Sequence, residues 1–350
     1  MDQFGQLSPL GPDYFFPAEW SPHRATWLSW PHKEASWPGK IDKIFLSYVR
    51  FIKEISKGET VCINVVNSEM ESFAKNLLFK ESVDLGKINF YTIPTNDAWC
   101  RDHGPAFLLN KKNPKLKVVV SWLYNAWGNK YPPFDLDIRV PSEIAKILNL
   151  PILYPNIIME GGSVDFNGEG TVLSTTSCLL NSNRNPNLNQ SEIERYLQNF
   201  YGIEQVLWLG DGIAGDDTDG HIDDITRFVG SDKVITMVEP NIHDENYGPL
   251  KTNLKTLKNM KLINGKSLDI LEIEMPSPVY YDGIRLPASY ANFYISNHSV
   301  IVPTFNDPKD QKAIDILTQV FADRNVLGID STDIIWGLGS FHCLSQQEPL

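Results

Sequence analysis

The sequence predicts an α/β protein built by repeating a strand–strand–helix–strand unit of about 60 residues, and three observations predict it. Four pairs of short apolar strands flank turn-forming residues, at intervals of about 56, 63 and 66 residues. Helical spacing follows the pairs, and each helix is followed by one more short apolar strand. Ionisable residues and glycines recur just ahead of the pairs. A period this long indicates a propeller-like or arrayed architecture, in which each unit buries its apolar face against its neighbours.

The first unit is expected from His23–His32, a helix over Ile41–Ile55 and a strand over Thr60–Val66. The strand pairs follow: Ala106–Leu109 with Lys117–Trp122, then Ser163–Phe166 with Thr171–Ser174 around Asn167-Gly168-Glu169-Gly170. The third is Ile225–Val229 with Val234–Val238, and the fourth Asn292–Ile295 with Val300–Pro303. Helices are expected at Pro141–Leu148, Ser191–Tyr201 and Lys309–Phe321, the second opened by a capping box of Ser191 and Glu194. Closing strands are read at Gln205–Leu209 and Asp333–Trp336. No low-complexity tract or Gly/Ser linker divides residues 1–350, so a single domain is expected.

Composition narrows the function. With 42% hydrophobic and 21% charged residues, this is the makeup of a soluble globular protein. A net charge of −12 argues against a nucleic-acid partner, which would need a basic face, and agrees weakly with a cationic one. Cys62, Cys100, Cys178 and Cys343 are too scattered for a disulfide framework, and without a CxxC pair a structural zinc site is not expected. The opening residues lack a basic segment followed by an apolar one, and no apolar run reaches membrane-span length. The expectation is a reduced, cytoplasmic protein with no membrane partner; a homodimer or higher homo-oligomer is left open.

The reactive candidates share one place in the repeat. Asp102 precedes the first strand pair, Glu160 the second, and His221 and Asp223 the third; Glu160 lies 58 residues after Asp102, and His221 61 after Glu160. Cys343 is read as following the last expected strand. Modules arranged about an axis would bring these positions into one pocket. A guanidinium is planar, permanently cationic, and pairs bidentately with carboxylates at roughly 1.5–3 kcal/mol per charge-assisted hydrogen bond. Cys343 could attack its carbon, and His221 could protonate departing ammonia and then activate water, its ring partly oriented by Glu160. The bound cation would favour the thiolate.

Each residue also has a structural reading. Cys343 could be an inert buried thiol, and His342 beside it a capping or packing residue. His221 could belong to a solvated loop or a metal site, although Gly215–Asp224 fails as a calcium loop because glycine opens it and Thr226 stands where glutamate is needed. Asp102 could pair with Arg101. Trp99 could wall an aliphatic substrate stem or pack in the core. Cys62, Cys100 and Cys178 are read as structural.

Five blocks together resemble the agmatine deiminases and bacterial-type peptidyl-arginine deiminases of the guanidino-group-modifying superfamily. They are PAEWSPHRATWLSWPH (17–32), NDAWCRDHGPAF (96–107), MEGGSVDFNGEGTVLST (159–175), GDDTDGHIDDITRFV (215–229) and GLGSFHCLSQQEP (337–349). The resemblance implies a five-bladed α/β propeller (pentein) of ββαβ modules around a pseudo-fivefold axis, with no metal or organic cofactor. It implies Cys343 as nucleophile, His221 as acid/base, Glu160 as the acid facing guanidinium and histidine, and Asp102 and Asp223 as guanidinium clamps. Trp99 matches the residue lining the substrate stem; Asp216, Asp217 and Gly339 are expected at the substrate end. Two departures, His103 where threonine is frequent and GLGSFHC where GGGNIHC is commoner, bear on that end.

The expected activity is hydrolysis of agmatine to N-carbamoylputrescine and ammonia. The alternatives are deimination of arginine in peptides, an inactive guanidine-binding propeller, and a divalent-metal hydrolase built on His221 and the acids.

Overall fold

The computed structural model describes residues 13–350. Among them, five sheets of three or four strands repeat one plan: an antiparallel pair, a helical crossover, then a strand parallel to the second member. Ala106–Asn110 and Lys117–Val120 pair and are followed by Val140–Ile147 and Ile152–Leu153. Val164–Phe166 and Thr171–Thr175 lead through Gln190–Tyr201 to Gln205–Leu209. Thr226–Phe228 and Lys233–Val238 lead through Tyr247–Asn259 to Asp269–Glu274. Tyr294–Ile295 and Ser299–Thr304 lead through Asp310–Val320 to Asn325–Asp330.

The remaining sheet joins distant parts of the chain. Ser345–Pro349 pairs antiparallel with His23–Ser29, which leads through Ile41–Ser56 to Thr60–Val65 and on to Ile88–Thr92. Its outer member is therefore a C-terminal strand. Glu348 anchors it: this buried carboxylate accepts from Arg24 at 2.7 Å, Lys117 at 2.8 Å and the Trp27 indole at 3.0 Å.

The elements form for ordinary reasons. Parallel strands covered on both faces need near-continuous apolar runs, and Val234–Met237 is buried throughout. The turn 167–170 uses positive φ at Gly168 and Gly170, while the Asn167 carboxamide oxygen accepts from Glu169 and Thr171 N–H. The helix Gln190–Tyr201 buries Ile193, Leu197 and Phe200 on one face.

All four expected strand pairs are present, with ends shifted by a few residues. Two expectations fail. The capping box belongs to Asn189 and Glu192, not Ser191 and Glu194; the helix starts a residue early because the Asn189 side chain reaches the Glu192 N–H. The strand expected at Asp333–Trp336 is a 3-10 turn, Ile334–Gly337, and the closing strand is Asn325–Asp330. Cys343 consequently sits ahead of a strand pair, as the other candidates do.

Ahead of every pair lies a short helical or looped turn. These turns are Cys100–His103, Gly161–Ser163, Ile222–Asp224, Tyr290–Asn292 and residues 341–344. They carry the site.

Candidate active site

Cys343, Asp102, Trp99, Asp216, Asp217 and Gly339 line one cavity of about 500 Å³. Neighbours Arg101 and Asp102 take different partners, which removes the ion-pair reading. Arg101 donates to Gln347 at 2.6 Å, whereas Asp102 accepts from Gly162 N–H and the Trp127 indole, each at 2.9 Å. Trp127 sits in a run of four residues with positive φ, 126–129, a costly conformation for non-glycine residues and one often found at functional sites.

Gly162 locates the convergence. A Cβ there would lie 2.6 Å from His221 Nδ1 and 3.0 Å from carboxylate oxygens of both Asp102 and Asp223. His221 Nδ1 is 3.9 Å from Asp102 Oδ1 and 4.0 Å from Asp223 Oδ1. The Cys343 thiol is 3.6 Å from Asp223 Oδ2 and 2.9 Å from the Asn292 amide nitrogen. Glu160, fully buried, accepts from Arg184 Nε at 2.6 Å through one oxygen.

What is left unpartnered is informative. Buried polar atoms are normally hydrogen-bonded. Yet Glu160 Oε2, both His221 ring nitrogens and Asp223 Oδ1 have no protein partner. A flat cation with several N–H donors would satisfy the two carboxylate oxygens.

The electrostatics follow from burial and charge. Burial opposes a charged His221, but Asp102, Cys178 and Asp223 outweigh it and hold the imidazole protonated, well above its usual range. Burial also raises Asp223, but the hydrogen bond and charge of His342 prevail, keeping it below the ordinary carboxylate range. For Cys343, burial and then Asp223, Asp224 and Asp102 push the thiol well above its usual value, against the Asn292 hydrogen bond. In the free enzyme the sulfur therefore keeps its proton at neutral pH. A cation bound among those carboxylates would offset their effect.

Cys178, expected to be structural, is fully buried within 4.8 Å of both a His221 nitrogen and a Glu160 oxygen. The trio offers metal-ligand chemistry. However, the Arg184 guanidinium holds one Glu160 oxygen at 2.6 Å and places a permanent positive charge beside the trio, which opposes a resident divalent ion there.

Trp99 packs against Trp37 at a tilt, with ring centroids 5.3 Å apart, and Gly339 lies against it: a Cβ there would come within 2.6 Å of the Trp99 ring. At the expected substrate end, Lys130 and Tyr131 engage the Asp217 carboxylate. Asp216 accepts from Thr218 and from His221 N–H. His103 is buried against Ser29 rather than facing the cavity, so the departure from threonine does not alter the cavity lining.

Several contributors escape sequence reasoning. His342 is no mere packing residue: it bridges Asp223 Oδ2 at 2.7 Å and Glu19 Oε2 at 2.8 Å. Glu19 also accepts from Arg227 at 2.9 Å. Arg184, Trp127 and Asn292 complete the set. For Asn292 a signal existed, since the fourth strand pair had no candidate at the recurring position.

A pentein-type α/β fold with a thiol and Asp102 on one cavity, and Asp223 and the His221 imidazole buried against them, defines a hydrolase acting on C–N bonds of amidines. Residues 15–349 match the family profile of the Porphyromonas-type peptidyl-arginine deiminases. The chain belongs to that family. A Legionella pneumophila (strain Paris) protein assigned as an agmatine deiminase is 38% identical over 338 residues, covering 96% of this chain and 95% of its own. Agmatine deiminase of Enterococcus faecalis, solved catalysing its reaction, superimposes with a TM-score of 0.91 at 28% identity, covering 98% of both chains. A cysteine-to-serine variant of agmatine deiminase from C. jejuni, solved with substrate bound, gives 0.86 at 33% identity, covering 96% of each.

Proposed function

We propose that this protein hydrolyses agmatine to N-carbamoylputrescine and ammonia, with the five sheets as blades of a single catalytic domain. The observation that carries this reading is the set of buried, unpartnered polar atoms on Glu160, His221 and Asp223, beside a thiol and Asp102. The agmatine deiminases among its relatives support the substrate.

Asp102 and Asp223 hold the guanidinium, with Glu160 facing it and the histidine. The bound cation offsets the surrounding carboxylates, the Cys343 thiol gives up its proton to solvent in the cavity, and the thiolate sulfur attacks the guanidine carbon, whose C=N π pair moves onto nitrogen. His221 gives its proton to the departing nitrogen, so ammonia leaves and an amidino-cysteine remains. The neutral imidazole then takes a proton from water and the hydroxide adds to the same carbon; the new hydroxyl loses its proton to solvent as the C–S bond breaks, releasing the ureido product and the thiolate. The substrate's aliphatic stem runs along Trp99, and aromatic walls from Trp127 and Trp336 suit methylenes. The four free cysteines support a reducing cytoplasmic setting, and the product is a putrescine precursor.

The test is a ureido-product assay with agmatine, free arginine and an arginyl peptide in parallel. Turnover of agmatine well above the others, abolished in Cys343→Ser, is expected. Equal turnover of the peptide would move the substrate to protein arginine while leaving the chemistry in place. Loss of activity on chelation, recovered with a divalent ion, would sink the cysteine mechanism.

A further inference from the structure

The turn Tyr290–Asn292 stands ahead of the fourth strand pair and ends on Asn292, a side chain 1% exposed. Its carboxamide oxygen accepts from three backbone N–H groups of the C-terminal turn: Ser340 at 3.2 Å, His342 at 3.1 Å and Cys343 at 3.3 Å. Three donors on one side fix which amide atom faces them, because an amide nitrogen has nothing to accept with. The NH2 group therefore points the other way, donating to Cys343 Sγ and to Asp224 Oδ1, each at 2.9 Å. One side chain thus gathers the backbone that carries the sulfur and touches the sulfur itself. Carboxylates surround that sulfur, and each disfavours a thiolate; a neutral N–H donor is the complement such a site requires.

We propose that Asn292 is the positioning residue for the nucleophile, holding the 340–343 turn in place and donating a hydrogen bond that persists when the sulfur ionises. This rests on the reading of Cys343 as nucleophile. Asn292 supplies the entry at the fourth strand pair that Asp102, Glu160, His221 with Asp223, and Cys343 supply at the others. Its role separates into two halves: the oxygen orders the turn, and the nitrogen sets the acidity of the thiol.

Asn292→Asp keeps an accepting oxygen and replaces the donor with a second oxygen, and Asn292→Ala is measured beside it, because only the neutral variant reads the lost donor apart from the added carboxylate's own effect on the thiol. The measurements are iodoacetamide alkylation of Cys343 against pH in the free enzyme, read by mass on the peptide containing it, together with kcat and KM for agmatine. The expected result is an alkylation profile displaced upward by at least one pH unit, kcat reduced at least 100-fold, and KM within threefold. A superimposable profile with kcat within threefold of wild type would overturn the proposal. The same displacement is expected of Asn292→Ala, with an unmoved profile again fatal, and that variant carries the test alone if the aspartate variant does not fold. Turnover surviving in Cys343→Ser would instead sink the parent reading, an outcome the alkylation profile does not depend on.

Discussion

Arg184 Nε donates to Glu160 Oε1 across 2.6 Å, with both side chains closed to solvent. The same guanidinium donates through Nη1 to Asp219 Oδ2 at 2.6 Å and through Nη2 to the Thr218 carbonyl at 2.9 Å. It ties the acid of one turn to the loop leading into His221. Removing it strands a buried carboxylate. Arg184→Met should lower unfolding free energy by about 3–5 kcal/mol in urea titration. Adding Glu160→Gln should recover part of that loss; no recovery would show that the cost comes from another Arg184 contact.

Trp127 sets one oxygen of Asp102. Trp127→Phe keeps an aromatic ring and removes the indole donor, a charge-assisted bond of about 1.5 kcal/mol or more. Agmatine kcat/KM should fall about tenfold or more, since each 1.4 kcal/mol is a factor of ten. An unchanged value would mean that Gly162 N–H alone holds the carboxylate.

The thiol is the protonated form in the free enzyme, and its proton leaves only as pH rises through the raised value. Iodoacetamide should modify Cys343 slowly at neutral pH, with the rate still climbing above pH 9. A rate already half-maximal near pH 7 would contradict the effect of burial and the flanking carboxylates.

Gly339 leaves room that no other residue leaves. A methyl there would lie 2.6 Å from the Trp99 ring and 3.0 Å from Cys343 Cβ. Gly339→Ala should therefore shift the ring or the nucleophile and cut kcat/KM by about 100-fold, a typical cost of a 1 Å misplacement at a reacting centre. Thermal unfolding of the same variant separates this from a general loss of fold.

Much of this was legible in the chain because its evidence is local. Strand pairs announce themselves by turn residues such as Asn167-Gly168, and reactive side chains stand in short glycine-bearing strings. Helix ends were less legible: Asn189 displaced Ser191 as cap because one side-chain oxygen reached one N–H. The supporting residues were not readable. Glu19 acts on Asp223 through His342, which lies 323 positions away in the chain, and Arg184 reaches Glu160 from a polar run resembling any loop. Such partnerships exist only once the sheets are packed.

The edge strand Ser345–Pro349 begins two residues after Cys343, and it pairs along His23–Ser29. Any pull on that ladder is therefore handed within two residues to the turn that carries the sulfur.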